Sequence, residues 1–234
     1  MSVHKSVWHL IRQGFSAKHI ISLSGPAGSG KTSLVLYLVG NFLTIKHPYR
    51  GSCIWMQASE SFPKKRLASL FASQPRRLAY LNERVYIIPR DHACKTFREQ
   101  LTIFEKLNGS NFIAPSDLKF MVIDNISHHL RYAFSKGDEI TENLSIVNIF
   151  YNNYLLPLIF RCIREDIRLI LIHEVSSDIN TGQDHPFFHK LYDRLDAFKM
   201  NLSKDYHNNL TEIILDQTQH VFSYKIMESG FVWT

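Results

Sequence analysis

A chain of 234 residues is long enough for one substantial α/β domain, which can bury roughly 70% of its unfolded surface without a disulfide or metal staple. Hydrophobic residues at 45% and charged residues at 21% exclude a disordered or fibrous protein. The formal charge of +6 is unevenly placed, with 16 Lys/Arg against 6 Asp/Glu in residues 1–117 and 11 against 15 in residues 118–234.

In chain order, Val3, Val7, Leu10 and Ile11 predict a short amphipathic helix ending near Gly14, a lead-in over residues 1–18. A short apolar strand over His19–Ser24 runs directly into a Gly-rich turn, and Thr32–Phe42 reads as a helix. Strands are expected at Ser52–Met56 and Arg84–Ile88, with a basic amphipathic helix over Phe62–Ala72 between them. Phe97–Leu107 is helical and closes at Asn108 and Gly109. Leu118–Ile123 is an apolar strand ending in Asp124. Ile140–Ile163 has helix-face spacing, with Pro157 expected to kink or divide it. Its uncharged stretch over residues 143–160 raises the membrane question, but Asn148, Asn152, Asn153 and Pro157 argue for a buried or half-buried helix, so no membrane partner is expected.

Arg168–Ile172 reads as a buried strand, and Ala197–Leu202, Leu210–Leu215 and Phe222–Met227 as consecutive antiparallel strands. The pattern predicts one α/β domain over residues 1–234, a mostly parallel sheet flanked by helices and extended by antiparallel C-terminal strands. Cys53, Cys94 and Cys162 are odd in number and far apart, so no disulfide framework is implied. With no secretory leader in view, a reducing intracellular location is expected, cytoplasmic if the source lacks a nucleus and nuclear otherwise.

The chemistry concentrates in Gly25, Pro26, Ala27, Gly28, Ser29, Gly30, Lys31 and Thr32, which match G-x-x-x-x-G-K-[ST] at every fixed position. The glycines let successive N–H groups point inward around phosphate oxygens, and the helix N-terminus adds positive potential. Lys31 is expected on the β- and γ-phosphates of ATP and the Thr32 hydroxyl on Mg²⁺. Such a loop needs a second metal-directed carboxylate at the end of a neighbouring strand, a role that fits Asp124. Glu60, just past the second strand, is the candidate for orienting or deprotonating an attacking water, or else an ordinary helix N-terminal Glu. Among 12 histidines, His185 and His189 lie four apart without a Cys pair, and His128, His129 and His173 read as solvent-facing or hydrogen-bonded side chains, not ligands. Lys64, Lys65, Arg66, Arg76, Arg77 and Arg84 form the densest basic cluster, a candidate polyanion or partner surface or a plain solvated face.

In order and spacing these features resemble the RecA/RadA recombinase superfamily, in particular small RadB-like paralogues that consist of the ATPase core alone. The stretch Glu60–Leu67 resembles the family's F-x-P-E-R-L segment, although an ungapped alignment puts Ser59 at the catalytic glutamate. Ile123–Ile126 and Leu130–Tyr132 resemble the Walker B strand and the start of the first DNA-binding loop; Leu171–Val175 and Ser176–Gly182 resemble the T-N-Q-V strand end and the loop after it; Lys225–Phe231 is similar to the closing strand. The resemblance implies a RecA-like P-loop core, with Lys31, Glu60 and Glu174 catalytic. It places DNA contacts at Arg131, Lys136 and Lys190, with Phe187 and Phe188 as stacking candidates.

Glu174 stands where the family has a γ-phosphate-sensing glutamine, and no clear counterpart of the basic K-H-R segment occurs near Asp216–Thr218. The implied function is a Mg²⁺–ATP-binding paralogue with weak ATPase, which binds single- or double-stranded DNA and assists a recombinase or other repair protein in homologous recombination. The alternative is a RecA-fold regulatory or assembly module, clamped by nucleotide on protein partners without DNA. A small-molecule P-loop kinase is disfavoured by the antiparallel tail and the lack of an Arg-rich lid.

Overall fold

A computed structural model describes residues 3–43, 50–135, 140–177, 184–205, 210–215 and 220–233. Its centre is a set of short strands with both faces covered, and their sequences explain why. β1 (Ile20–Ser24), β2 (Ser52–Gln57) and all but one residue each of β4 (Leu118–Asp124) and β5 (Arg168–His173) are buried along their length. Near-continuous apolar runs of this kind suit parallel strands with helices on both sides. With β3 (Val85–Ile88) and β8 (Ala197–Asp205) they form the parallel part of one nine-stranded sheet. The order is β11-β10-β9-β8-β1-β5-β4-β2-β3. The antiparallel end is β9 (Leu210–Leu215), β10 (His220–Met227) and β11 (Gly230–Trp233), while β6 (Val175–Ser177) and β7 (Asp184–Pro186) pair separately. The protein is thus α/β, with a mostly parallel central sheet and an antiparallel C-terminal extension.

Alternate residues of each central strand feed two cores. Ile21 and Leu23 of β1, and Ile170 and Ile172 of β5, pack with α1 (Val3–Ala17), α2 (Lys31–Phe42), α3 (Lys64–Leu70) and α4 (Pro75–Arg84). Leu169 and Leu171 of β5 face the opposite core, formed by α5 (Phe97–Asn108), α6 (His128–Ser135) and the long helical segment before β5. That segment comprises α7 (Ile140–Phe150), a π-turn (Tyr151–Leu155) and α8 (Leu156–Arg164).

Several elements depart from expectation. The long helix is divided next to Pro157 as expected, but by a π-turn and without loss of the helical path. The Leu156 N–H donates to the Tyr151 carbonyl five residues back, and this wide turn accommodates the backbone just before the proline. By length and composition Leu144–Arg164 could cross a membrane, but Val147, Phe150, Leu155, Leu158, Ile159 and Cys162 pack into the core while Leu144, Ile149, Phe160 and Ile163 are exposed. It is a half-buried helix. α4 is absent from the sequence-based elements; Pro75 stands in its first turn, where a missing N–H costs nothing. The basic helix is shorter than expected because Phe62 stays outside it. Its N–H donates to Gln57 Oε1 (2.7 Å), and its ring packs edge-on against Trp55.

Half of the basic cluster is committed within the protein. Arg66 Nε–H donates to Ser33 Oγ (3.1 Å), Arg77 Nη1 to Asn41 Oδ1 (3.0 Å), and Arg84 Nη1 to Asp117 Oδ2 (2.8 Å). Only Lys64, Lys65 and Arg76 of the six are fully exposed.

Gly40 shows how tightly α2 is packed. A Cβ there would lie 2.3 Å from Phe71 Cζ and 3.1 Å from Leu81 Cδ1. Gly to Ala inside a helix normally gains about 1 kcal/mol. Overpacking a buried site costs about 1–3 kcal/mol, so the clash prevails. Gly40→Ala is expected to lower the midpoint of urea unfolding; a raised midpoint would show that the two rings can give way.

Candidate functional site

Because β1, β4, β5 and β2 run parallel, their carboxyl ends finish at one edge. Ser24 of β1 pairs with His173 of β5, Ile123 of β4 with Leu171, and Gln57 of β2 with Asp124. α2 leaves β1 toward one face and α6 follows β4 on the other, so a crevice opens beyond the strand ends, the usual ligand position in open α/β sheets. A cleft of about 820 Å³ lies there.

One wall is the turn from Gly25 to Gly30. Gly28 (φ 70°) and Gly30 (φ 87°) adopt the left-handed conformation that a side chain resists. A Cβ on Gly30 would also lie 2.2 Å from Ile226 Cδ1 on β10, a side-chain tip that would have to turn aside. The turn is anchored from behind, where Tyr224 Oη donates to the Ser29 carbonyl and Ser24 Oγ donates to Asn201 Oδ1 (2.6 Å). Lys31 folds over the turn, its Nζ donating to the carbonyls of Gly25 (2.8 Å) and Pro26 (2.9 Å). Burial holds its pKa below the ordinary lysine value, opposed by the negative charges of Glu174, Asp124 and Glu60.

Across the cleft the Thr32 hydroxyl is hydrogen-bonded to the Asp124 carboxyl. Burial raises the Asp124 pKa to about 6; the Thr32 bond and Lys31 pull it down, and Glu60 pushes it up. The sequence placed Asp124 on a strand adjacent to the Gly-rich turn. The order β1-β5-β4 instead puts it two strands away, with the tip of β5 between. That tip carries Glu174, whose Oε1 is 3.1 Å from His128 Nδ1 and whose Oε2 is 3.5 Å from Arg131 Nη1.

Glu60 is exposed and lines the cleft. Ser59, the alternative from ungapped alignment, lines it too, but its Oγ is engaged as acceptor for the Asn125 N–H (3.2 Å). Glu60 is the carboxylate of the pair.

The residues proposed for DNA do not share one place. Arg131 lines the cleft beside Lys31, with its guanidinium 5.3 Å above the Phe187 ring. Lys190 is exposed on α9 (His189–Tyr192), away from the cleft lining. Lys136, residues 178–183 and residues 216–218 lie outside the described residues. Phe187 and Phe188 are half-buried against each other, and Phe188 also packs on Phe134.

His129 Nε2–H donates to the Cys94 carbonyl (2.8 Å), but His173 departs from expectation. It is wholly buried against Tyr192, with neither ring nitrogen partnered among the described residues, and burial lowers its pKa to about 3. His185 and His189 stack without a third ligand; no group of three His, Cys, Asp or Glu suited to a metal occurs among the described residues.

Sequence reasoning missed His128 as a cleft residue, and it missed Lys204 of β8, whose Nζ would lie 3.1 Å from a Cβ on Gly28. The spacing of His128 and Arg131, three apart on a helix, was the one available signal that both face the same way. No protein-family model matches the chain, and no curated protein sequence matches it.

The hydroxyl of Thr32 and the buried carboxyl of Asp124 form a hard oxygen pair, which fits a Mg²⁺ ion that takes few protein ligands and completes its shell with phosphate and water. Without a cation, Asp124 penalises the folded protein. Its folded pKa lies above the unfolded value, so its favourable contribution is full below about pH 4 and lost as pH rises through 6. At neutral pH the penalty is about 2–3 kcal/mol. Asp124→Asn is therefore expected to be more stable than wild type at pH 7.5 in chelator, with the difference vanishing at pH 4. Urea titrations at both pH values check this.

Proposed function

We propose that this protein is a Mg²⁺–ATP-binding P-loop protein of RecA-like fold, a RadB-like recombinase paralogue that binds DNA and assists homologous recombination with weak ATP turnover. One observation carries the reading: a single cleft gathers Lys31, Thr32, Asp124 and Glu60 from the ends of β1, β2 and β4. Hydroxyl, carboxylate and ammonium groups on a glycine-rich turn form the combination phosphoryl transfer needs, because that reaction is governed by positioning and charge.

The turn N–H groups and Lys31 bind the phosphates, and Lys31 exchanges its two carbonyl acceptors for phosphate oxygens. Thr32 and Asp124 hold Mg²⁺, which supplies charge neutralisation on the phosphates when bound. Glu60 orients the attacking water and accepts its proton at the carboxylate. The DNA role rests on the resemblance and on exposed Lys190.

A second reading, a nucleotide-operated clamp on protein partners, gains support from Arg131, which is paired with Glu174, and from the packed Phe187 and Phe188. Those groups are less free for DNA than their sequence positions imply.

Lys31→Ala is expected to weaken Mg²⁺–ATP binding roughly 10- to 100-fold by equilibrium titration, the effect of losing charge-assisted hydrogen bonds. Glu60→Gln should leave that affinity unchanged and reduce turnover by about 10²-fold; unchanged single-turnover hydrolysis would remove Glu60 from the chemistry. Single-stranded DNA affinity should fall with salt by a slope of about −0.7 for each phosphate contacted, and DNA should stimulate hydrolysis. Tight ATP binding with neither turnover nor DNA affinity would favour the clamp.

A further inference from the structure

Glu174 is an anion already contacted by the Arg131 guanidinium and the His128 ring. α6 begins four residues beyond Asp124, and its His128 and Arg131 both turn toward the tip of β5. They take one Glu174 oxygen each, at 3.1 and 3.5 Å. The Glu174 backbone is pinned as well. Its N–H donates to Ser127 Oγ (3.2 Å), and its carbonyl accepts from the Phe187 N–H (2.8 Å). Ser127 is in turn bonded to Asn125 Oδ1, next to Asp124. The carboxylate is therefore located by the same strand ends that define the cleft.

Lys31 lines the same cleft, and among the carboxylates acting on that ammonium Glu174 acts most strongly. The cleft thus brings together an ammonium, a carboxylate and a guanidinium. A nucleoside triphosphate brought in by the glycine-rich turn carries its terminal charge into this group. A terminal phosphate bears more charge than a carboxylate and has three oxygens in place of two, so it competes for the guanidinium, whose planar fork suits phosphate. Arg131 is more than half exposed, held by one long ion-pair contact and by the face of the Phe187 ring, so the exchange requires rotation of a side chain off both and no movement of α6.

We propose that Arg131 is a nucleotide-binding residue supplied by the same chain, and that Glu174 is a positioning residue that holds it at the cleft until a terminal phosphate takes its place. The inference rests on the P-loop reading and deepens it. A diphosphate ends one phosphate short of Arg131, so this residue makes the protein distinguish ATP from ADP. It also assigns Arg131 to nucleotide where the sequence assigned it to DNA.

The test is equilibrium binding, with Mg²⁺, of ADP and of the β,γ-imido analogue of ATP to wild type, Arg131→Ala, Arg131→Lys, Glu174→Gln and Lys31→Ala. Circular dichroism melting of each nucleotide-free variant establishes that it is folded. Arg131→Ala is expected to lose about tenfold in affinity for the triphosphate while ADP affinity changes less than twofold. Arg131→Lys should recover part of the loss, and Glu174→Gln should bind the triphosphate several-fold more tightly, because a neutral amide no longer competes. The inference is overturned if Arg131→Ala weakens both nucleotides equally or neither. It is equally overturned if single-stranded DNA affinity falls while the ATP-to-ADP ratio stays at the wild-type value. If wild type binds neither nucleotide and Lys31→Ala changes nothing, the P-loop reading itself falls, and this inference with it.

Discussion

The site depends on the shared register of four parallel strands. β1, β2, β4 and β5 are covered on both faces, and a one-residue slip in any of them would exchange its two sets of apolar side chains between the cores. Ile21 and Leu23 would trade places with Ile20 and Ser22, leaving a hydroxyl among Phe15, Phe42 and Phe120. The packing that fixes register also fixes where each strand stops. Lys31, Glu60, Asp124 and Glu174 meet because four apolar runs end at one level.

Meeting there has an electrostatic consequence. Three carboxylates share a partly desolvated cleft with Lys31 and Arg131. Burial raises the pKa of Asp124 and the nearby Glu60 adds to it, while Glu174 is paired with His128 and Arg131. Under the proposed function, such strain is relieved by the charges that arrive with the ligand. Stability and binding thus oppose each other at Asp124. The loop carbonyls of Gly25 and Pro26 keep the buried Lys31 ammonium satisfied.

The C-terminal strands contribute to the site without lining most of it. Ile226 of β10 lies against Gly30, Tyr224 bonds the Ser29 carbonyl, and Asn201 of β8 accepts from Ser24 at the end of β1. Arg66 Nη1 and Ser69 of α3 both donate to the Glu228 carbonyl, which fastens the β10–β11 turn to the helices beside the cleft. Arg66 is basic by composition, yet it acts as a structural clasp. A cluster of positive charge in sequence therefore says little about a binding surface until the partners of each guanidinium are known.

The sequence by itself determined the central strands, α2, α5, the antiparallel tail and the glycine-rich turn. These are set by local rules: continuous apolar runs, helical spacing, and glycine at positions that need positive φ. Lys31, Thr32, Asp124 and Glu60 were legible for the same reason, since each stands at the end of a readable strand or in a motif of fixed spacing. Only the tertiary structure decided that β5 lies between β1 and β4, that Arg131 belongs to the cleft, and that His173 is sealed against Tyr192. Strand order and the company of a long side chain are set by contacts between residues far apart in the chain, and no local periodicity carries them. The hydrophobic pattern specifies which elements form and which faces they bury. The neighbour each charge finds is settled when those faces close.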